Sequence, residues 1–224
     1  MYIGIIGAMD EEINDLLEKM EVLKEEKYSG ISYYIGKLCG RDIVLSRCFV
    51  GKVNAAMCTQ TMILKYDVEN IINVGVAGGI DTALGLGDIA ISTSTVEFDQ
   101  DVSALGYDIG YTFGLEKIYI ESDEKIANKF YEVASRENNV KVGVIASSDK
   151  FISSETEIEK IKELFNNVVA VDMESASISH VCKLNNIPFC AIRVISDSGN
   201  NMEYRDFVDI AVKKIDKIML EYLK

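Results

Sequence analysis

Short apolar runs alternate with stretches of helical period along almost the whole chain, and no other feature constrains its fold as strongly. Residues 2–7, 70–76, 168–171 and 189–195 form runs of strand length, each closed by a glycine, a small residue or an acid. Runs of this kind suit strands buried on both faces. Between such runs the apolar residues change period. Ile13, Leu16, Leu17 and Met20 fall on one face of a helix. The spacing predicts helices over 10–24, 53–66, 123–137, 155–165, 173–185 and 204–223. It predicts strands over 2–7, 31–37, 42–48, 70–76, 88–95, 141–146, 168–171 and 189–195, with 31–37 and 42–48 paired. This alternation implies an α/β fold, with a mixed or mostly parallel β-sheet flanked by helices. The length suits one domain over residues 1–224. Residues 97–115 have weak periodicity, and a long segment of that kind is often functional or interfacial.

Bulk properties remove several classes of function. The net charge is −13, which argues against nucleic acid as a partner, because phosphate binding needs a basic footprint. No apolar run reaches the length of a membrane-spanning helix, so no membrane partner is expected. The N-terminal residues lack the basic start of a secretion signal, and a cytoplasmic location is expected. The five cysteines are odd in number and lack C-x-x-C spacing, so they are expected as reduced, mostly buried thiols. His180 is the only histidine and cannot build a His-based metal site by itself. Neither a metal nor a cofactor is expected.

The chemistry concentrates where strands end, because open α/β sheets bind ligands at the carboxyl ends of their strands. Asp172 and Glu174 follow one apolar run, and Asp197 follows the next. Asp172 also reads as a plain helix N-cap. Arg193 lies inside a strand, where a charge is costly unless paired, and Glu12 or Glu174 would be natural partners. Gly7-Ala8-Met9-Asp10-Glu11-Glu12 closes the first strand and opens a helix. Acids there favour the positive helix end by a few tenths to about 1 kcal/mol. That accounts for Asp10 and Glu11 and leaves Glu12 open to either role. The glycines at 4 and 7 do not make the dinucleotide fingerprint. Asn73 to Ile80 is rich in small residues that let backbone N–H groups approach a ligand. In Ser147 to Ile152, Phe151 is placed either to stack on a planar base or to cover the core.

Taken together, these segments resemble the 5′-methylthioadenosine/S-adenosylhomocysteine nucleosidases of the nucleoside phosphorylase-like superfamily. The likeness runs nearly end to end. It is carried by Gly4 to Met9 with Glu11-Glu12, Val50 to Ala56, Gly75 with Ala77-Gly78-Gly79, and Gly87-Asp88-Ile89. Asp101-Val102 with Gly106-Tyr107, Met173-Glu174, and Arg193 with Ile195-Ser196-Asp197 complete it. The resemblance implies hydrolysis of the N-glycosidic bond of 5′-substituted adenosines through a ribooxocarbenium-like transition state. It implies Asp197 as the general acid to adenine N7, Glu12 as the base that activates water, and Glu174 as the holder of the ribose hydroxyls. Arg193 would position the water and the carboxylates.

Met173 would pack on the sugar, Phe151 would stack on adenine, and the Ile152 backbone would read its edge. Met9, Val50, Val76, Ala77, Gly78 and Ser196 complete the implied substrate contacts. Tyr204, with Phe207 as the rival, would cap the substrate. Leu105 and Phe113 fall in the loop that, in relatives, reaches the neighbouring subunit's 5′ pocket, so a homodimer is implied. Val76 stands where the family usually has Ser or Thr, Asp172 where it has Glu, and Phe98 where His is expected. The rival readings are a phosphorylase, a hydrolase of another 5′-modified purine nucleoside such as a futalosine-type compound, and a nucleoside-binding protein without activity. Asp10, Glu11 and Glu12 occupy the turn where a phosphorylase would want a cation.

Overall fold

The computed structural model describes residues 1–197 and 201–224, with the side chains of all of these except 201–209. In chain order the strands are β1 (Tyr2–Gly7), β2 (Glu21–Tyr28), β3 (Ile31–Leu38), β4 (Arg41–Arg47), β5 (Val68–Gly79), β6 (Ile89–Glu97), β7 (Ile120–Glu121), β8 (Val140–Ser147), β9 (Val168–Asp172) and β10 (Phe189–Asp197). The helices are α1 (Asp10–Lys19), α2 (Lys52–Lys65), α3 (Glu124–Ala134), α4 (Glu155–Leu164), α5 (Ser175–Leu184) and α6 (Asn201–Leu223).

The strands make one ten-stranded mixed sheet in the order β10-β6-β8-β9-β5-β1-β4-β3-β2, with β7 on β6. The sheet closes on itself, because β10 also pairs with β5. The long strand β5 makes this possible. Residues Ile71 to Ala77 run parallel to β10, while Gly78 and Gly79 cross to pair antiparallel with Val171 and Ala170 of β9. Strands β5, β10, β6, β8 and β9 therefore form a closed ring, and β1, β4, β3 and β2 extend from it. The carboxyl ends of β1, β5, β9 and β10 come together on one rim.

Helices cover both faces. Ile13 and Leu16 of α1, Phe130 of α3, and Ile215 and Met219 of α6 pack on Ile5, Ile72 and Ile192. On the other face Ala55, Cys58 and Met62 of α2 and Ile178 and Cys182 of α5 pack on Ile6, Ile71 and Ala191. Ile161 of α4 joins a third cluster with Val96, Ala146 and Ile152. Cys48, Cys58, Cys182 and Cys190 are buried free thiols, and Cys39 is an exposed one. No helix among the described residues is long and apolar enough to cross a membrane.

Three expectations need correction. The first helix stops at Lys19, and Glu21–Tyr28 is a strand. It is an edge strand paired only with β3, and its residues are exposed or half-exposed, so it has no apolar face to announce it. Strand β7 is only two residues long and exists through its pairing with Ser94 and Thr95. The fifth helix begins at Ser175, so Glu174 lies at its N-cap, with φ −134°, rather than inside it. The weakly periodic stretch forms only a short 3₁₀ turn at Ser103–Leu105 and an isolated bridge from Thr112 to Lys117.

Candidate active site

A cleft of about 200 Å³ opens at the rim where the carboxyl ends of β1, β5, β9 and β10 meet. Glu12, Glu174 and Asp197 all line it, brought together from positions far apart in the chain. Each is almost fully buried, at 4%, 6% and 2% exposure.

Glu12 stands at the third position of α1 and reaches back over the helix start. Its Oε2 accepts the N–H of Ala8 at 2.6 Å and of Met9 at 3.1 Å. Its Oε1 accepts the N–H of Val76 on β5 at 2.9 Å. The same carboxylate thus caps the helix and faces the cleft. Gly75 leaves it room: a β-carbon there would lie 2.5 Å from Glu12 Oε1. Burial raises the Glu12 pKa, against the opposing pull of Arg193 and the three N–H donors.

Glu174 is held by the start of α2, where the Gly51 N–H donates to its Oε1 at 2.9 Å. Burial and the nearby Asp172 charge raise its pKa, while Gly51 and Arg193 act the other way. Asp197 ends β10, and its Oδ2 accepts the Ser196 hydroxyl at 3.0 Å. A β-carbon on Gly78 would lie 3.3 Å from Asp197 Oδ1, so the glycine keeps the approach to that carboxyl open.

Arg193 sits directly behind the cleft with 1% exposure. Its Nε and Nη2 donate to Asp172 Oδ2 at 2.9 and 2.7 Å. Nη1 donates to the Asn73 carbonyl at 3.2 Å, and Nη2 to the Ser175 hydroxyl at 2.9 Å. The buried ion pair of Arg193 is therefore made with Asp172, not with Glu12 or Glu174. Arg193 acts on those two acids through its field alone. Asp172 accepts the N–H of Ser175 at 3.3 Å, as a capping residue would, but its main bonds are to Arg193 and to the Ser147 hydroxyl at 2.5 Å. A guanidinium that cannot reach water needs a full counter-charge, and Asp172 supplies it.

Met9, Val50, Val76, Ala77, Gly78, Phe151, Ile152, Met173 and Ser196 all line the cleft. Phe151 is 40% exposed at its edge, while Ile152 is anchored in the core. Val76 contributes a backbone donor to Glu12 and no hydroxyl. Leu105 and Phe113 do not line this cleft. Phe113 borders a separate groove beside Lys52 and His180, where it packs with Tyr107 and Tyr111. Tyr204 and Phe207 lie outside the residues whose side chains are described. Ala8, Val171, Asp172 and Lys150 line the cleft without having been singled out as contacts. Ala8, Asp172 and Lys150 adjoin Met9, Met173 and Phe151, which is the only signal the sequence carried for them, and Val171 carried none.

The arrangement is a small cleft with apolar walls and buried carboxylates around one end. Lys150 is its one cationic lining residue among those described, and it is paired with Glu157. Such a site can deliver and accept protons and stabilise positive charge developing on a ligand.

The chain matches the family described as "Phosphorylase superfamily" over residues 2–224. It is 37% identical over 225 residues to the 5′-methylthioadenosine/S-adenosylhomocysteine nucleosidase of Staphylococcus carnosus, covering 99% of each. Its fold superposes on the crystal structure of the 5′-methylthioadenosine/S-adenosylhomocysteine nucleosidase of Neisseria meningitidis in complex with methylthio-immucillin-A. The TM-score is 0.95 and the identity 34%, with 100% of this chain and 98% of the other covered. It also superposes on the native futalosine hydrolase of Helicobacter pylori, with a TM-score of 0.93 and 32% identity, covering 100% and 97%.

Proposed function

This chain belongs to the phosphorylase superfamily and, within it, to the 5′-methylthioadenosine/S-adenosylhomocysteine nucleosidases, and from that premise we propose how its cleft works. It hydrolyses the N-glycosidic bond of 5′-methylthioadenosine and S-adenosylhomocysteine, releasing adenine and the 5-substituted ribose; 5′-deoxyadenosine is a further substrate of the same shape. The observation that carries this reading is the convergence of buried Glu12, Glu174 and Asp197 on one cleft walled by apolar residues.

Asp197 donates a proton to adenine N7, so the bond between N9 and C1′ breaks with its electron pair leaving on a neutral base. Positive charge grows on the sugar, where the nearby carboxylates stabilise it, as paired carboxylates do for other glycosides. Water adds to C1′ and gives its proton to Glu12. Burial holds the Glu12 pKa above that of an ordinary carboxylate, which makes it a better base near neutral pH. Glu174 accepts the ribose hydroxyls, Met173 packs on the sugar, and Phe151 stacks on adenine beside the Ile152 backbone. Arg193, locked by Asp172, sets the field that keeps this group of acids folded together.

Lys150 is the one cation lining the cleft among the described residues, and its pairing with Glu157 supports water over phosphate as the nucleophile. The chain acts as one nucleosidase domain over residues 1–224, in the cytoplasm. It works as a homodimer in which Leu105 and Phe113 complete the partner's 5′ pocket. Their exposure, 74% and 45%, supports that reading.

The test is adenine release from 5′-methylthioadenosine, followed by absorbance with and without inorganic phosphate. Release that is independent of phosphate is expected, and release that requires phosphate would make the chain a phosphorylase. Asp197→Asn should lose on the order of 10²–10⁴-fold in kcat while still binding substrate. Near wild-type turnover by that variant would overturn the role of Asp197. The likeness to a futalosine hydrolase, with Val76 in place of a hydroxyl, makes another 5′-modified purine nucleoside the rival substrate. Preference for such a compound over 5′-methylthioadenosine in the same assay would favour it.

A further inference from the structure

Three residues outside the cleft are tied into a ring beside it. Lys52 opens α2, Asp99 follows β6, and Asp149 follows β8. The Lys52 backbone N–H donates to Asp149 Oδ1 at 2.7 Å. The Asp149 N–H donates to Asp99 Oδ2 at 3.0 Å. The Lys52 ammonium closes the ring on Asp99 Oδ1 at 2.6 Å and leans on Glu97 Oε2 at 3.2 Å. The Lys52 side chain is only 16% exposed, so this is not a loose surface pair. A charged pair that is partly desolvated and closed by further hydrogen bonds is geometrically specific.

None of Lys52, Asp99 and Asp149 lines the cleft, but the segments beside Lys52 and Asp149 do. Gly51, one residue before Lys52, donates the N–H that holds Glu174. Phe151 and Ile152, two and three residues after Asp149, form the other wall. A β-carbon on Gly51, whose φ is +102°, would lie 3.2 Å from Asp149 Oδ1, so the two segments meet closely.

We propose that the Lys52–Asp99–Asp149 ring is a positioning device for the glycosidic cleavage. It fixes the distance between the loop that receives the base, carrying Phe151 and Ile152, and the helix start that orients the ribose-holding Glu174. This rests on the nucleosidase reading of the cleft. The ring holds the two walls of the cleft apart at one spacing before substrate arrives, and pre-organisation of that kind lowers the cost of ordering a binding loop. The Lys52 ammonium and Asp99 together brace the direct bond from the Lys52 N–H to Asp149, so losing either brace has the same consequence.

The test compares Lys52→Met, Asp99→Asn, Asp99→Ala and the double variant Lys52→Met/Asp99→Ala with the wild type. Lys37→Met, on an exposed strand pair, is the control. Two readouts are taken on the full chain: kcat and KM for 5′-methylthioadenosine, and the dissociation constant of free adenine by calorimetry. Lys52→Met and Asp99→Ala are each expected to raise KM and weaken adenine binding by about tenfold, with kcat changed much less. The double variant should be no worse than either single one, since the ring is already open. Asp99→Asn, which keeps an acceptor for the Asp149 N–H, should recover part of the loss, and Lys37→Met should change nothing. A loss of thermal stability with wild-type KM and adenine affinity overturns the proposal, as do losses in the two single variants that multiply in the double. If the wild type binds adenine but cleaves none of the 5′-substituted adenosines, the nucleosidase reading fails while adenine affinity still tests the ring. A wild type that neither binds nor cleaves overturns both.

Discussion

Replacing Asp216 with asparagine should stabilise this protein, and by an amount that depends on pH. Asp216 lies on α6, is 2% exposed, and neither of its carboxyl oxygens has a hydrogen-bond partner among the described residues. Burial raises its pKa from 3.8 to about 7, the Asp15 carboxyl on α1 adds to the rise, and Lys19 opposes it. The folded state therefore holds this proton more tightly than the unfolded chain does. The stability this confers is complete below about pH 3.8 and is lost as pH rises through about 7. At roughly 1.4 kcal/mol per pH unit, and with the transition spread around both pKa values, the wild type should lose roughly 2–3 kcal/mol from this group between pH 5 and 8. Asparagine has the same shape and does not titrate. The buried amide carries its own desolvation cost, but that cost is the same at every pH. The advantage of Asp216→Asn over wild type should thus grow by roughly 2–3 kcal/mol across that window. For a chain of this length that corresponds to roughly 5–10 °C in Tm. The assay is thermal unfolding followed by circular dichroism at several pH values, with the difference between the two proteins as the readout. Other titrating groups, including Glu12 and Glu174, cancel in that difference. A gap that stays constant from pH 5 to 8 would refute the reasoning, because it would mean that Asp216 is already ionised in the folded protein at pH 5.

Three further outcomes are expected. Asp172→Asn breaks a buried pair whose side chains are both 2% exposed, leaves Arg193 uncompensated, and should cost about 3–5 kcal/mol in urea unfolding. A cost below about 1 kcal/mol would show that Arg193 has another counter-ion. Phe151→Ala should lower kcat/KM for 5′-methylthioadenosine by roughly ten- to a hundredfold, the worth of a base stacked on an aromatic ring, and an unchanged kcat/KM would place the base elsewhere. Glu12 must be ionised to accept a proton from water. Since burial raises its pKa, the acid limb of kcat/KM against pH should lie above pH 4.5 and disappear in Glu12→Gln along with the activity. A limb at or below pH 4.5 contradicts that assignment.

The elements buried on both faces are legible in the sequence. Tyr2–Gly7 and Phe189–Asp197 announce themselves because nearly every residue is apolar or small, as a strand between two helical layers requires, with Arg193 and Asp197 the charged exceptions. That legibility fails for Glu21–Tyr28, whose strand conformation comes from backbone bonds to β3 and owes nothing to a buried face. The acids of the cleft are legible for a related reason. Charged residues placed directly after a core strand occupy the rim, and Glu12, Glu174 and Asp197 all do.

Which carboxylate pairs with Arg193 is set by the tertiary structure. From the sequence, Asp172 is a cap and Arg193 has Glu12 or Glu174 for company. In the folded chain Asp172 sits 2.7 Å from the guanidinium and takes its charge, which leaves Glu12 and Glu174 to the cleft. Spacing along the chain cannot encode this, because Arg193 on β10 meets Asp172 on β9 only through the strand β5 that pairs with both. The closed sheet, made by β5 pairing with β9 and β10 at once, sets that distance and brings Glu12, from the start of the chain, against Val76 and beside the acids from its end.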